Sequence, residues 1–195
     1  MAATPTPPRL PTPAPFPLTG EPLALDLLNT RTADAGDLIA DPAGLSAWLA
    51  LQQERLSPIG EAGSTELAAV HAVREAAGAA LAAARHGERP PADALRALNE
   101  ASAGAPAHRE LVWSPQDGLT ATPHRTGTPV RRLAAELADA VTDLLTDPRV
   151  RDVRTCEGAD CVLLFLPTHP RRRWCVASVC GNRARVARYY ARHKS

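Results

Sequence analysis

The sequence predicts a mainly α protein. An N-terminal helical domain with one β-hairpin is followed by a small C-terminal module built as a β-hairpin and then a helix. Three observations carry this expectation. Apolar residues recur at helical spacing through most of residues 1–148. That pattern breaks once, at two short alternating runs around Pro115-Gln-Asp-Gly, a hairpin signal. Charge also divides sharply. Residues 1–148 hold 11 basic and 18 acidic side chains, a net of −7, whereas 149–195 hold 11 basic and 3 acidic, a net of +8. A sign split of this kind indicates two modules with different work to do.

Composition sets the bounds. A chain of 195 residues, 45% hydrophobic and 22% charged, has the make-up of a globular protein. Aromatics are scarce at 4%, alanines number 38, and 21 of the 22 basic residues are Arg. That bias reflects a GC-rich genome and is silent on function. No apolar run approaches the roughly 20 residues of a membrane helix. Residues 1–18 lack the apolar core of a secretory signal. A cytoplasmic location with no membrane partner is expected.

Residues 1–19 carry seven prolines and are expected to form a disordered arm. The helical domain then spans 20–148. Residues 21–30 read as a short, deeply buried helix opened by Pro22, with Asp26 in its middle and Asn29 and Thr30 closing it. Asp41-Pro42 reads as the cap and first turn of a second helix through Leu45, Trp48, Leu49 and Gln52. Ser64 is the expected cap of a long third helix running to about residue 86, with Arg74 in the centre of its apolar stripe. A fourth helix covers about 91–101, strands cover 109–113 and 119–122, and a fifth helix covers 131–146. Asp147-Pro148 ends that helix and marks the boundary.

Asp26 and Arg74 are costly to bury unless partnered. One reading makes Asp26, Asn29, Thr30 and Arg74 a polar pocket for a small effector. The other, which the sequence favours, makes them one buried ion pair or network tying two helices together.

Cys156, Cys161, Cys175 and Cys180 all fall in the basic module, spaced C-x4-C, 13 residues, C-x4-C. Thiols clustered in a protein without a secretory signal favour a metal over disulfides. Two close pairs separated by a loop suit one structural Zn²⁺ with four thiolates. Cys175 and Cys180 would lie about 140° apart within one helix and could not share an ion. The helix is therefore expected to begin between them, with Ser178 as its cap. Residues 162–166 read as a strand, giving a module ordered knuckle, β-hairpin, knuckle, helix. Beyond Cys180, Arg185, Arg188 and Arg192 share one helix face, and Arg171, Arg172 and Arg173 precede Trp174 in the loop before Cys175. Guanidinium groups so placed suit phosphates. Trp174 reads as a plug for a very small core.

Arg-Arg-Trp-Cys at 172–175, then Cys-Gly-Asn-Arg at 180–183 and Ala-Arg-Val, resembles the CGNR zinc-finger family. The opening Gly20-Glu-Pro-Leu-Ala-Leu-Asp-Leu-Leu-Asn-Thr-Arg resembles the start of the ABATE domain with which that finger is paired. The resemblance spans about residues 20–195, with the finger over 149–195. Pro167-Thr-His-Pro170 departs from the family pattern. The resemblance implies a bacterial protein described at family level as a stress-induced transcription regulator, with a DNA-binding finger and Cys156, Cys161, Cys175 and Cys180 as the zinc ligands.

Two functions of different class follow. In the first, a DNA-binding regulator contacts phosphates through Arg171, Arg172, Arg173, Arg185, Arg188 and Arg192. Asn182 and Arg183 either support the metal knuckle or touch a base edge, and specificity calls for a homodimer or a partner. In the second, the zinc finger is a protein-assembly platform that binds no nucleic acid. An enzyme is not expected, because four thiolates leave zinc no open position and the six histidines show no partner spacing.

Overall fold

The computed structural model describes residues 16–17 and 20–193. The chain runs α1 (Leu23–Leu28), β1 (Arg31–Thr32), β2 (Gly36–Asp37), α2 (Pro42–Leu51), α3 (Ser64–Ala84), α4 (Ala92–Ala103), β3 (Ala107–Ser114), β4 (Gly118–Arg125) and α5 (Pro129–Thr146). A 3-10 turn (Pro148–Asp152), β5 (Arg154–Thr155), β6 (Leu164–Phe165), a π-type turn (Ala177–Gly181) and α6 (Asn182–His193) complete it. Helices dominate, as expected, and the strands form three separate antiparallel pairs. Most of the proline-rich stretch 1–19 lies outside the described residues, but Phe16 is buried in the main core.

Local chemistry explains where helices start. The Asp41 carboxylate accepts from the Gly44 amide at 2.7 Å, and Pro42 opens α2. The cap of α3 is Gly63, not the expected Ser64, because the Glu66 carboxylate reaches back to the Gly63 amide at 2.9 Å. Thr128 caps α5, with Pro129 first in the helix. This start precedes the expected one because the cap and proline lie outside the apolar stripe.

The core forms around α3, which packs against α1, α2, α4 and α5. By length and composition α3 would pass for a membrane span, contrary to the reading that no such run exists. Packing accounts for its apolarity: Val70, Val73, Ala76, Ala77, Ala80 and Leu81 are buried among its neighbours. The β1–β2 hairpin had no sequence signal, being two residues per strand. The β3–β4 hairpin is longer than expected, with eight paired positions from Ala107↔Arg125 to Ser114↔Gly118.

In the C-terminal module the expected order is corrected. Strands β5 and β6 pair on either side of the first cysteine pair, so that pair forms the loop of the hairpin rather than preceding it. The Cys156 amide extends the ladder by donating to the Leu163 carbonyl at 2.9 Å.

The module is joined to the helical domain by a built seam. Val153 and Leu166 are buried in the main core, and Leu164 packs on it. The Asn29 side chain pairs with β6 as a strand would: its Nδ2 donates to the Leu164 carbonyl at 2.9 Å, and the Leu164 amide donates to its Oδ1 at 2.8 Å. The buried Glu21 carboxylate accepts from the Leu166 amide at 2.9 Å and from Arg172 Nη2 at 2.6 Å.

Candidate metal centre

The four cysteine Sγ atoms lie within 4.8 Å of one another, three of the residues being buried and Cys161 half-buried. Cys161 and Cys175 Sγ are 3.8 Å apart, and Cys175 and Cys180 Sγ 3.6 Å. A tetrahedron of sulfurs about 2.3 Å from an ion has edges of about 3.8 Å. A disulfide bond would need about 2.05 Å, and all four thiols are free.

Each knuckle has a reason in the sequence. Asp160 takes a left-handed backbone (φ 58°) that turns the chain between Cys156 and Cys161. Gly158 faces the centre so closely that a Cβ there would sit 3.1 Å from Cys180 Sγ. The amides of Gly158 and Cys175 donate to Cys156 Sγ at 3.4 and 3.3 Å. In the second knuckle the helical turn begins at Ala177, capped by Val176, so Cys175 and Cys180 do come from either side of a helix start. Ser178 is inside the turn rather than its cap, because the amides of Cys180 and Gly181 both reach the Val176 carbonyl. Gly181 lies under the Trp174 ring: a Cβ would meet it at 2.9 Å. Trp174 is therefore the expected plug, half-buried against the cysteine cluster.

Burial pushes the Cys156 thiol up, but hydrogen bonds from the amides of Cys175 and Gly158 and the thiols of Cys175 and Cys161 together outweigh this, and its net shift is downward. Burial raises Cys175 strongly, and raises Cys180 to about 11. Four crowded sulfurs in a desolvated site resist ionising together unless a dication compensates them. The donor set thus fits one structural Zn²⁺ and is ill matched to the oxygen-seeking cations.

The arginines divide between structural and open positions. Arg172 was expected on phosphate; instead its guanidinium lies 4.4 Å over the Phe165 ring and donates to the Cys175 carbonyl, the Trp174 carbonyl and Glu21. Arg173 pairs across the knuckles with Glu157, which lowers the carboxylate's pKa and raises that of the guanidinium. Arg171, Asn182, Arg183, Arg185, Arg188 and Arg192 are exposed. Arg183 lines a cleft of about 350 Å³ beside Cys161, Cys175 and Cys180, which suits it to offset a thiolate cluster.

A model of the CGNR zinc finger matches residues 152–193. A model of the ABATE family, described as "Putative stress-induced transcription regulator", matches residues 21–148. The chain belongs to the ABATE family. Its CGNR finger supplies the cysteine quartet, and the two matched regions meet at the Glu21 and Asn29 seam. No curated protein matches the chain.

Asp26, Asn29, Thr30 and Arg74, expected to share one pocket or one buried ion pair or network, are distributed over three sites. Asp26 pairs with Arg55 and accepts from the amides of Gly20 at 2.9 Å and Glu21 at 3.1 Å. Asn29 is spent on β6. Arg74, only 2% exposed, donates to Asp37 Oδ1 at 2.7 Å and to Thr30 Oγ1 at 2.8 Å. Each of the four side chains has at least one protein partner, and the buried Arg74 Nε has none among the described residues. The partners Arg55, Asp37 and Glu21 had no signal in the sequence, since each lies in a short turn or at an element's edge with no periodicity to mark it.

Proposed function

We propose that this ABATE-family protein is a DNA-binding transcription regulator whose zinc finger holds α6 out as a cationic reading element. The observation that carries this is the condition of α6: every turn carries Arg, and none of its residues is buried. The knuckle carries its first turn, and Ala184, Ala187 and Arg188 border a cleft with Trp174. With Arg172 committed to the seam and Arg173 to Glu157, the open guanidinium groups are Arg171, Arg183, Arg185, Arg188 and Arg192. Arg185, Arg188 and Arg192 border a shallow groove with Tyr189, a setting that suits a phosphate ribbon. Neutralising about five phosphates gives a log–log salt slope of about −4 to −5. Fluorescence anisotropy of a labelled duplex with the zinc-loaded chain at two salt concentrations tests this. Arg185→Gln with Arg188→Gln should flatten the slope by about 2. Binding that ignores salt overturns the reading.

A further inference from the structure

We propose that the β3–β4 hairpin is the contact through which two copies of this chain pair, by stacking the apolar faces of their hairpins about a two-fold axis. This does not rest on the DNA reading. Among the described residues, β3 and β4 pair only with each other. An isolated two-stranded hairpin is marginal in water without a covering layer. Yet its side chains are open: Leu111 and Trp113 are each 69% exposed and Leu119 is 66% exposed. The register Trp113↔Leu119, Leu111↔Ala121 and Arg109↔Pro123 puts all of these on one face.

The shape of that face points to a second copy as its occupant. It is thick at the turn, where Trp113 and Leu119 stand side by side, and low along the β4 side of the base, where Ala121 and Pro123 leave a step. The exposed Ala107 and Pro123 border a cleft with Arg132 at that base. A two-fold laid across the face seats each copy's Trp113 and Leu119 on the other's step. Charge does not oppose this arrangement: Arg109 is exposed at the base of this face, so the antiparallel stack sets the two Arg109 side chains at opposite ends, and the Asp117 carboxylate is turned to the other face, where Ser114 Oγ donates to it at 3.2 Å. Trp113, Leu111 and Leu119 leave on the order of 400 Å² of apolar surface open per copy. Two stacked faces with their small residues and backbone bury on the order of 1,000 Å², the size of a weak, reversible contact.

Sedimentation equilibrium of the zinc-loaded full chain over about 1–200 µM should show a monomer–dimer equilibrium. Trp113→Ser should raise the dissociation constant about thirtyfold or more, with an unchanged circular dichroism spectrum. Thr120→Glu, on the opposite face, should leave it within about threefold. Should Trp113→Ser disturb the hairpin itself, a second site on the face still decides: Leu111→Glu, at a position 69% exposed, should raise the dissociation constant by about thirtyfold as well. A monomer throughout the range, or a dimer indifferent to both Trp113 and Leu111, overturns the proposal.

Discussion

The Arg74–Asp37 pair predicts an asymmetry between its two halves. Arg74 is sealed in the core, whereas the Asp37 side chain keeps 27% of its surface in water. Asp37→Ala therefore strands a guanidinium that water cannot reach, and breaking a buried pair in this way costs about 3–5 kcal/mol. Arg74→Met removes the buried charge and fills much of its volume. The carboxylate left behind is hydrated, accepts from the Ile39 amide at 3.1 Å and lies 3.9 Å from Arg31 and from His71. Thr30 loses nothing essential, since its hydroxyl donates to the Leu27 carbonyl at 2.7 Å. The expected cost of Arg74→Met is about 1–2 kcal/mol. Urea unfolding followed by circular dichroism measures both. The acid limb gives an independent check. The hydrogen bond from Arg74 holds the Asp37 pKa below its ordinary 3.8, its charge and the Ile39 amide adding to this against burial. A depressed folded pKa contributes stability above 3.8 that is lost as the pH falls through the folded value. Asp37→Ala should therefore lose less stability than wild type on acidification through this window. An Arg74→Met chain destabilised as much as Asp37→Ala would refute the reasoning.

Three further outcomes are expected. Native mass spectrometry should find one zinc ion per chain, absent after chelation or in Cys175→Ser, and chelation should lower the melting temperature of the helical domain as well as the module; an unchanged helical melt would contradict the seam. Gly181→Ala forces the Trp174 ring aside and should cost about 1–3 kcal/mol by denaturant titration, with a shift in tryptophan emission; a silent substitution would place Trp174 elsewhere. Glu21→Ala removes the acceptor shared by Leu166 and Arg172 and should cost about 2–4 kcal/mol, splitting a single calorimetric transition into two, whereas a single unshifted transition would show the seam to be energetically idle.

The cysteine quartet was fully legible, because tetrahedral coordination demands particular atoms and the spacing C-x4-C twice supplies them. The helices were legible through their apolar period and their caps, with ends displaced by a residue or two where Glu66 or Thr128 did the capping. What stayed hidden was partner choice. The sequence shows that Arg74 and Asp26 need compensation, but Asp37 and Arg55 are supplied by a two-residue strand and the turn that follows α2. Arg172 misled for the same reason: in a run of three arginines nothing local separates the one that turns inward over Phe165 from the one left in solvent.

That division among arginines has a consequence for how the two modules act together. Zinc fixes the knuckles, and the knuckles fix β6 and the loop that carries Arg172. These are the groups that Asn29 and Glu21 hold. Ordering by the ion is therefore transmitted into α1 and the main core, and part of the metal's binding free energy is stability of the helical domain. Helix α6 begins at the same knuckle but takes no part in the seam, so its arginines remain available however tightly the modules are joined. A substitution at Arg185, Arg188 or Arg192 should therefore leave the melting temperature unchanged while altering what the helix binds, and a substitution at Glu21 should do the reverse.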